Sequence, residues 1–130
     1  MSETSQNLRL PPHNEEAEQS VIGSMMLDRM ALSSAMEFLE PESFYRPAHA
    51  KIFNAILNLD ARGEPVDQIS VVDELKRSGD LQAAGGAYYI TELTEKIPST
   101  ANARYYARLV MESSALRALI QLSAELSTEA

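Results

Sequence analysis

From Ala17 onward the apolar positions recur at helical spacing, and no run alternates apolar with polar as a half-buried strand would. Ala17, Val21 and Met25, joined by Ile22 and Met26, form the buried face of a first helix running to about Leu27. Pro11 and Pro12 stiffen its approach, Asn14 can accept from the unpaired N–H groups of the first turn, and Glu15, Glu16 and Glu18 lie against the positive end of the helix dipole. After a break at Asp28-Arg29, Met30, Leu32, Ala35, Met36 and Leu39 predict a second helix that stops before Pro41. A connector carrying Phe44 and Tyr45 leads to Pro47, which suits the first turn of a third helix. Ile52, Ala55, Ile56 and Leu59 line that helix, Phe53 widens its face, and Gly63 ends it. This third helix is expected to be the central strut.

Beyond the turn Glu64-Pro65-Val66-Asp67, Ser70 is placed to cap a short helix carrying Val71, Val72 and Leu75, with Gly79 past its end. Asp80-Leu81 opens a brief element that breaks at Gly85-Gly86, and Tyr88, Tyr89, Ile90, Leu93 and Ile97 mark a fifth helix closed by Pro98. Ser99 or Thr100 then caps a segment that has no breaker from Ala101 to Ala130. The expected fold is all-α: a disordered tail over residues 1–10, a multi-helix head over 11–98, and a long C-terminal helix over 99–130.

On that last helix Ala115, Leu119, Leu122 and Leu126 form one stripe, and Leu109, Leu116 and Ile120 a neighbouring one. Together they cover roughly 160° of arc, where a helix docked on one core needs little more than about 100°. Either both stripes enter one groove of the same domain, or a second partner covers part of the arc. The end at Leu126-Ser127-Thr128-Glu129-Ala130 carries no glycine or proline stop, so the helix is expected to be cut rather than finished.

A chain of 130 residues, 45% of them apolar, supports one domain with a modest core. The net charge of −8, from 19 acidic against 11 basic residues, argues against tight non-specific capture of nucleic acid through its phosphates. The absence of cysteine removes disulfides and thiolate metal sites and favours a cytoplasmic location. The start of the chain holds Glu3 and no apolar core, unlike a secretory signal, and the apolar stretch Val21 to Leu27 is too short to span a bilayer. The two histidines, His13 and His49, lack ligand-type partners at helical metal-site spacing and read as structural or solvated. No glycine precedes a lysine as a phosphate loop requires, Gly85-Gly86 lacks the third glycine of a dinucleotide site, and no Gly-x-Ser-x-Gly elbow occurs. No catalytic, cofactor or metal residue is assigned, and the chain reads as non-enzymatic. Arg104 and Arg108 beside Tyr105 and Tyr106 could stack on and neutralise a nucleic-acid strand, although a solvated helix face accounts for them too.

Set in order, Pro11-Pro12-His13-Asn14-Glu15-Glu16-Ala17-Glu18-Gln19-Ser20-Val21-Ile22-Gly23, Phe44-Tyr45-Arg46-Pro47-Ala48-His49-Ala50-Lys51-Ile52-Phe53, Gly63-Glu64-Pro65-Val66-Asp67, Gly85-Gly86-Ala87-Tyr88-Tyr89-Ile90 and Pro98-Ser99-Thr100-Ala101-Asn102 closely resemble the amino-terminal domain of the DnaB-type bacterial replicative DNA helicase. The likeness covers essentially residues 10 to 130. It implies a helical head followed by a hairpin of two long helices, with hairpins pairing between subunits so that six heads form a collar. It also implies that the RecA-like ATPase domain, which uses ATP and Mg, and the returning hairpin helix lie outside this chain. The partners it implies are further copies of the chain, primase, in some lineages a helicase loader, and DNA held by the full-length ring. For primase docking the resemblance points to Tyr89, Ile120 and Leu126, and for packing between subunits to Leu116, Leu119 and Leu122; each could instead be core. The alternative is a single-stranded DNA-binding or loader-type accessory protein working through Arg104, Tyr105 and Arg108.

Overall fold

Six α-helices and one short 3-10 turn make up the described residues, 10–129, of the computed structural model. The expected tail over residues 1–10 lies, apart from Leu10, outside the described residues. The helices are α1 (Glu15–Leu27), α2 (Arg29–Phe38), α3 (Pro47–Ala61), α4 (Gln68–Ser78), α5 (Gly86–Glu95) and α6 (Ala103–Glu129). The 3-10 turn, Pro41–Ser43, sits between α2 and α3. The expected all-α architecture is therefore the one observed.

The central strut is α1, not α3 as the sequence pattern suggested. It packs against α2, α3, α5 and α6, whereas the main neighbours of α3 are α4 and the 3-10 turn. The reason is side-chain size. Besides its apolar residues, α1 buries Gly23 and Ser24, and these small positions admit neighbours on faces that bulky polar residues would keep wet. Asn14 caps α1 as expected, accepting from the Ala17 N–H at 3.0 Å.

Several local details differ from the sequence expectation. Met30 and Met36 point outward, and the buried residues of α2 are Ala31, Leu32 and Ala35, with Leu39 following. Asp67 rather than Ser70 caps α4, because its carboxylate accepts from the Ser70 N–H at 2.8 Å while the Ser70 hydroxyl faces the Asp67 N–H at 2.9 Å. Gly79 ends α4 in the left-handed region at φ 79°, where a Cβ would be strained. The element expected at Asp80-Leu81 is a run of turns, and α5 starts directly at Gly86. Before α6, the Ser99 hydroxyl accepts from the Ala101 N–H, while Thr100 donates to Asp28 Oδ2 at 2.9 Å. On α6 the residues buried against the head are Ala103, Ala107 and Val110, small or branched groups outside both sequence-derived stripes, with Tyr106 and Leu109 packed beside them.

Candidate interaction surface

Two features lie at the surface of this scaffold: a polar network that ends at Tyr89, and the far half of α6. The network starts with Glu18, which is only 1% exposed. Dipole complementarity alone does not describe this residue, because its carboxylate is turned into the core. It accepts from the Tyr45 N–H at 2.7 Å, the Arg46 N–H at 3.4 Å and the His49 Nδ1–H at 2.7 Å. A carboxylate can only accept, so the proton sits on Nδ1 and, in a neutral ring, Nε2 accepts from the Tyr89 hydroxyl at 2.6 Å. Gln19 Nε2 in turn donates to the Tyr89 oxygen at 3.3 Å. The chain of bonds thus runs in one sense from Gln19 through Tyr89 and His49 to Glu18.

Burial pulls the Glu18 carboxyl upward, but the His49 ring and the two backbone N–H groups outweigh it and hold its pKa below the ordinary value of 4.5. Burial also pushes the Tyr89 phenol above its usual range, against the Gln19 hydrogen bond. A carboxyl depressed in the folded state contributes stability that is complete above its unfolded pKa and is lost as pH falls through the folded value. Chemical denaturation of the parent across acidic pH is therefore expected to show stability declining below about pH 4.5, and Glu18→Gln is expected to flatten that decline. An unchanged acid slope in Glu18→Gln would assign the decline to other carboxyls, chiefly Glu74, which Arg62 holds low through a 2.6 Å bond.

Spacing along the chain could not reveal this network. His49 is buried within the fold, and its partner Glu18 stands 31 residues away on another helix. The one legible signal was the pair Glu18 and His49 within two of the recurring motifs. Gly85, in the left-handed region at φ 103°, lets the Tyr89 ring approach, since a Cβ there would lie 2.6 Å from Tyr89 Cδ2. Tyr88, its neighbour, points outward at 77% exposure rather than into the core.

On α6, everything from Ala118 to Thr128 is exposed. Leu109, the first residue of the second stripe, packs against the core, whereas Leu116, Leu119, Ile120, Leu122 and Leu126 are between 51% and 59% exposed and do not dock into this domain. Near the root of this arm an open groove of ≈ 620 Å³ runs between Leu10, Pro11, Pro12 and Glu42 on one side and Ser114, Arg117, Ile120 and Ala124 on the other. Of the residues read from the sequence, Ile120 and Leu126 share the exposed arm with Leu116, Leu119 and Leu122. Tyr89 stands apart on α5, whose main neighbours are α1 and α4. Arg104 pairs with Glu37 at 3.3 Å and lies over the Phe38 ring at 4.9 Å, so this cation is engaged within the fold. Among the described residues no group of three or more His, Cys, Asp or Glu could hold a metal ion, and no helix is long and apolar enough to cross a membrane.

Fold and surface together define a class: an all-helical domain with a buried polar network in its head and a long, apolar-striped helix reaching beyond it. The model of the DnaB-like helicase N terminal domain family matches residues 10–112, and the chain belongs to that family. It is 48% identical over 121 residues to the replicative DNA helicase DnaB of Geobacillus stearothermophilus, a match covering 93% of this chain and 27% of that protein. It is 46% identical over 123 residues to the replicative DNA helicase DnaC of Bacillus subtilis, covering 95% of this chain and again 27% of the relative. The chain thus spans about a quarter of the length of these curated relatives. The crystal structure of the N-terminal domain of DnaB helicase from Mycobacterium tuberculosis superimposes with a TM-score of 0.89 at 44% identity, covering 92% of this chain and 85% of that one.

Proposed function

We propose that this chain is the assembly and docking module of a hexameric replicative DNA helicase. Its division is between the head, residues 11–98, and the helical segment 99–130, whose near half is fastened to the head. In the full-length protein, ATP and Mg would be used by a separate ATPase domain, DNA would be held by the assembled ring, and the location would be cytoplasmic. The module contributes no catalytic group of its own. Leu116, Leu119 and Leu122 pair arms between copies, while Tyr89, Ile120 and Leu126 dock primase. A helicase loader is a further partner.

The observation that carries this reading is the arm. Residues 118–128 are all exposed, and four of them carry large apolar side chains. Most helical stability in proteins comes from packing of an apolar face, so a partner that covers these side chains stabilises both. The steps of three and four along Leu116, Leu119, Leu122 and Leu126 suit another helix laid alongside.

Sedimentation equilibrium tests it. Leu119→Glu combined with Leu122→Glu is expected to weaken self-association about a hundredfold, while the circular dichroism and thermal unfolding of the head stay unchanged because both side chains are exposed. Self-association equal to that of the parent would remove the arm from the interface. With the carboxy-terminal domain of primase added, Tyr89→Ala and Ile120→Ala are expected to abolish a shift that the parent shows. A steep salt dependence of single-stranded DNA binding by this chain would instead support the DNA-binding alternative.

A further inference from the structure

Arg117 is half-buried and every residue from Ala118 to Thr128 is exposed; the helix leaves the head there. One terminal nitrogen, Nη1, donates to the Pro12 carbonyl at 2.8 Å, and Nη2 donates to the Ser43 carbonyl at 2.8 Å. The guanidinium carbon lies 5.5 Å from the centroid of the Tyr45 ring. His13 also stacks on Tyr45, with ring centroids 4.1 Å apart and planes 16° from parallel. One side chain thus joins three pieces of the chain: the strap of residues 10–13, the connector before α3, and the root of the arm.

We infer that Arg117 is a latch that closes the strap onto the arm, and that the closed strap supplies one wall of the groove beside Ile120. The chemistry fits arginine in particular. Two carbonyls from separate loops match the rigid fork of a guanidinium, and its planar face suits the tyrosine ring. A lysine has the charge but neither the fork nor the flat face, so it can satisfy one carbonyl at a time. Apart from Arg117, the strap is held to the connector by the His13 stack on Tyr45, so opening it leaves the apolar core intact. Its consequence is local and specific: Leu10, Pro11 and Pro12 form one wall of the groove whose other wall includes Ile120. If the strap opens, that wall goes with it, and the arm presents a bare helix in place of a groove.

The chain has no cysteine, so Leu10→Cys and Glu125→Cys introduce the sole attachment points for a pair of spin labels. Pulsed dipolar spectroscopy of the full 130-residue chain, diluted into unlabelled protein so that only distances within one copy are read, then reports strap against arm. The parent is expected to give one narrow distance. In Arg117→Ala the ratio of closed to open strap is expected to fall about tenfold, from the loss of two charge-assisted hydrogen bonds, while the unfolding of the head changes little. Arg117→Lys is expected to recover part of the closed population. Tyr45→Leu, which leaves both carbonyls in place, should broaden the distribution and serves if Arg117→Ala folds poorly. A distance that stays narrow in both Arg117→Ala and Tyr45→Leu, or that Arg117→Lys restores in full, overturns the latch.

Discussion

Glu18→Ala is expected to destabilise the chain by about 4 kcal/mol, measured by urea denaturation at neutral pH. Three donors converge on this carboxylate: the N–H groups of Tyr45 and Arg46 and the Nδ1–H of His49. Alanine leaves all three without an acceptor in a site where Glu18 and His49 are each 1% exposed, so water reaches them only if the connector before α3 moves. The loss should extend along the network. Without the carboxylate to fix the Nδ1 tautomer, His49 no longer presents Nε2 reliably to the Tyr89 hydroxyl, and the Tyr89 side chain loses its orienting bond. The imidazole nitrogen resonances of His49 are therefore expected to shift in the same variant. A loss below about 1 kcal/mol would mean that the connector relaxes and rehydrates these donors, and that the network orients side chains without contributing to stability.

Gly23→Val is expected to cost about 3 kcal/mol and to loosen α5. A Cβ built on Gly23 collides with the Leu93 carbonyl oxygen and lies 2.7 Å from Ile97 Cγ1. The Ile97 side chain can turn away; the Leu93 carbonyl, fixed by the backbone of the last turn of α5, cannot do so alone. The remaining remedy is for α1 and α5 to move apart, which opens the contact around Ile90 and Leu93, both buried. Since α5 carries Tyr89, hydrogen exchange should quicken across Gly86–Glu95 well before the rest of the head responds. Uniform quickening throughout the molecule would show instead that α5 and the head open as one unit. Glycine within a helix reads from the sequence as a weak point; here it is a position at which another helix backbone approaches closely.

Helix positions, most of the core and the family were legible along the chain because each is written locally or in short motifs. Apolar residues three and four apart mark a helical face, Pro47 and Gly79 punctuate it, and five motifs in order carry the resemblance. The three-dimensional arrangement supplied what depends on distance in space. Spacing showed α3 as apolar on one broad face, but centrality went to α1, because being surrounded depends on small residues such as Gly23 and Ser24 facing neighbours that periodicity does not identify. Glu18 looked like one of three dipole-facing carboxylates, and its separation from Glu15 and Glu16 came from a histidine 31 residues on. The wide apolar arc of the last helix was visible, but both readings of it were open, since a stripe shows that a surface must be covered and not by what. In the folded chain Ala103, Ala107 and Val110 take the docking role and leave Leu116, Leu119, Ile120, Leu122 and Leu126 at the surface. Arg117 carried no signal in the sequence, because its partners are backbone carbonyls, which every residue possesses and no side-chain pattern encodes.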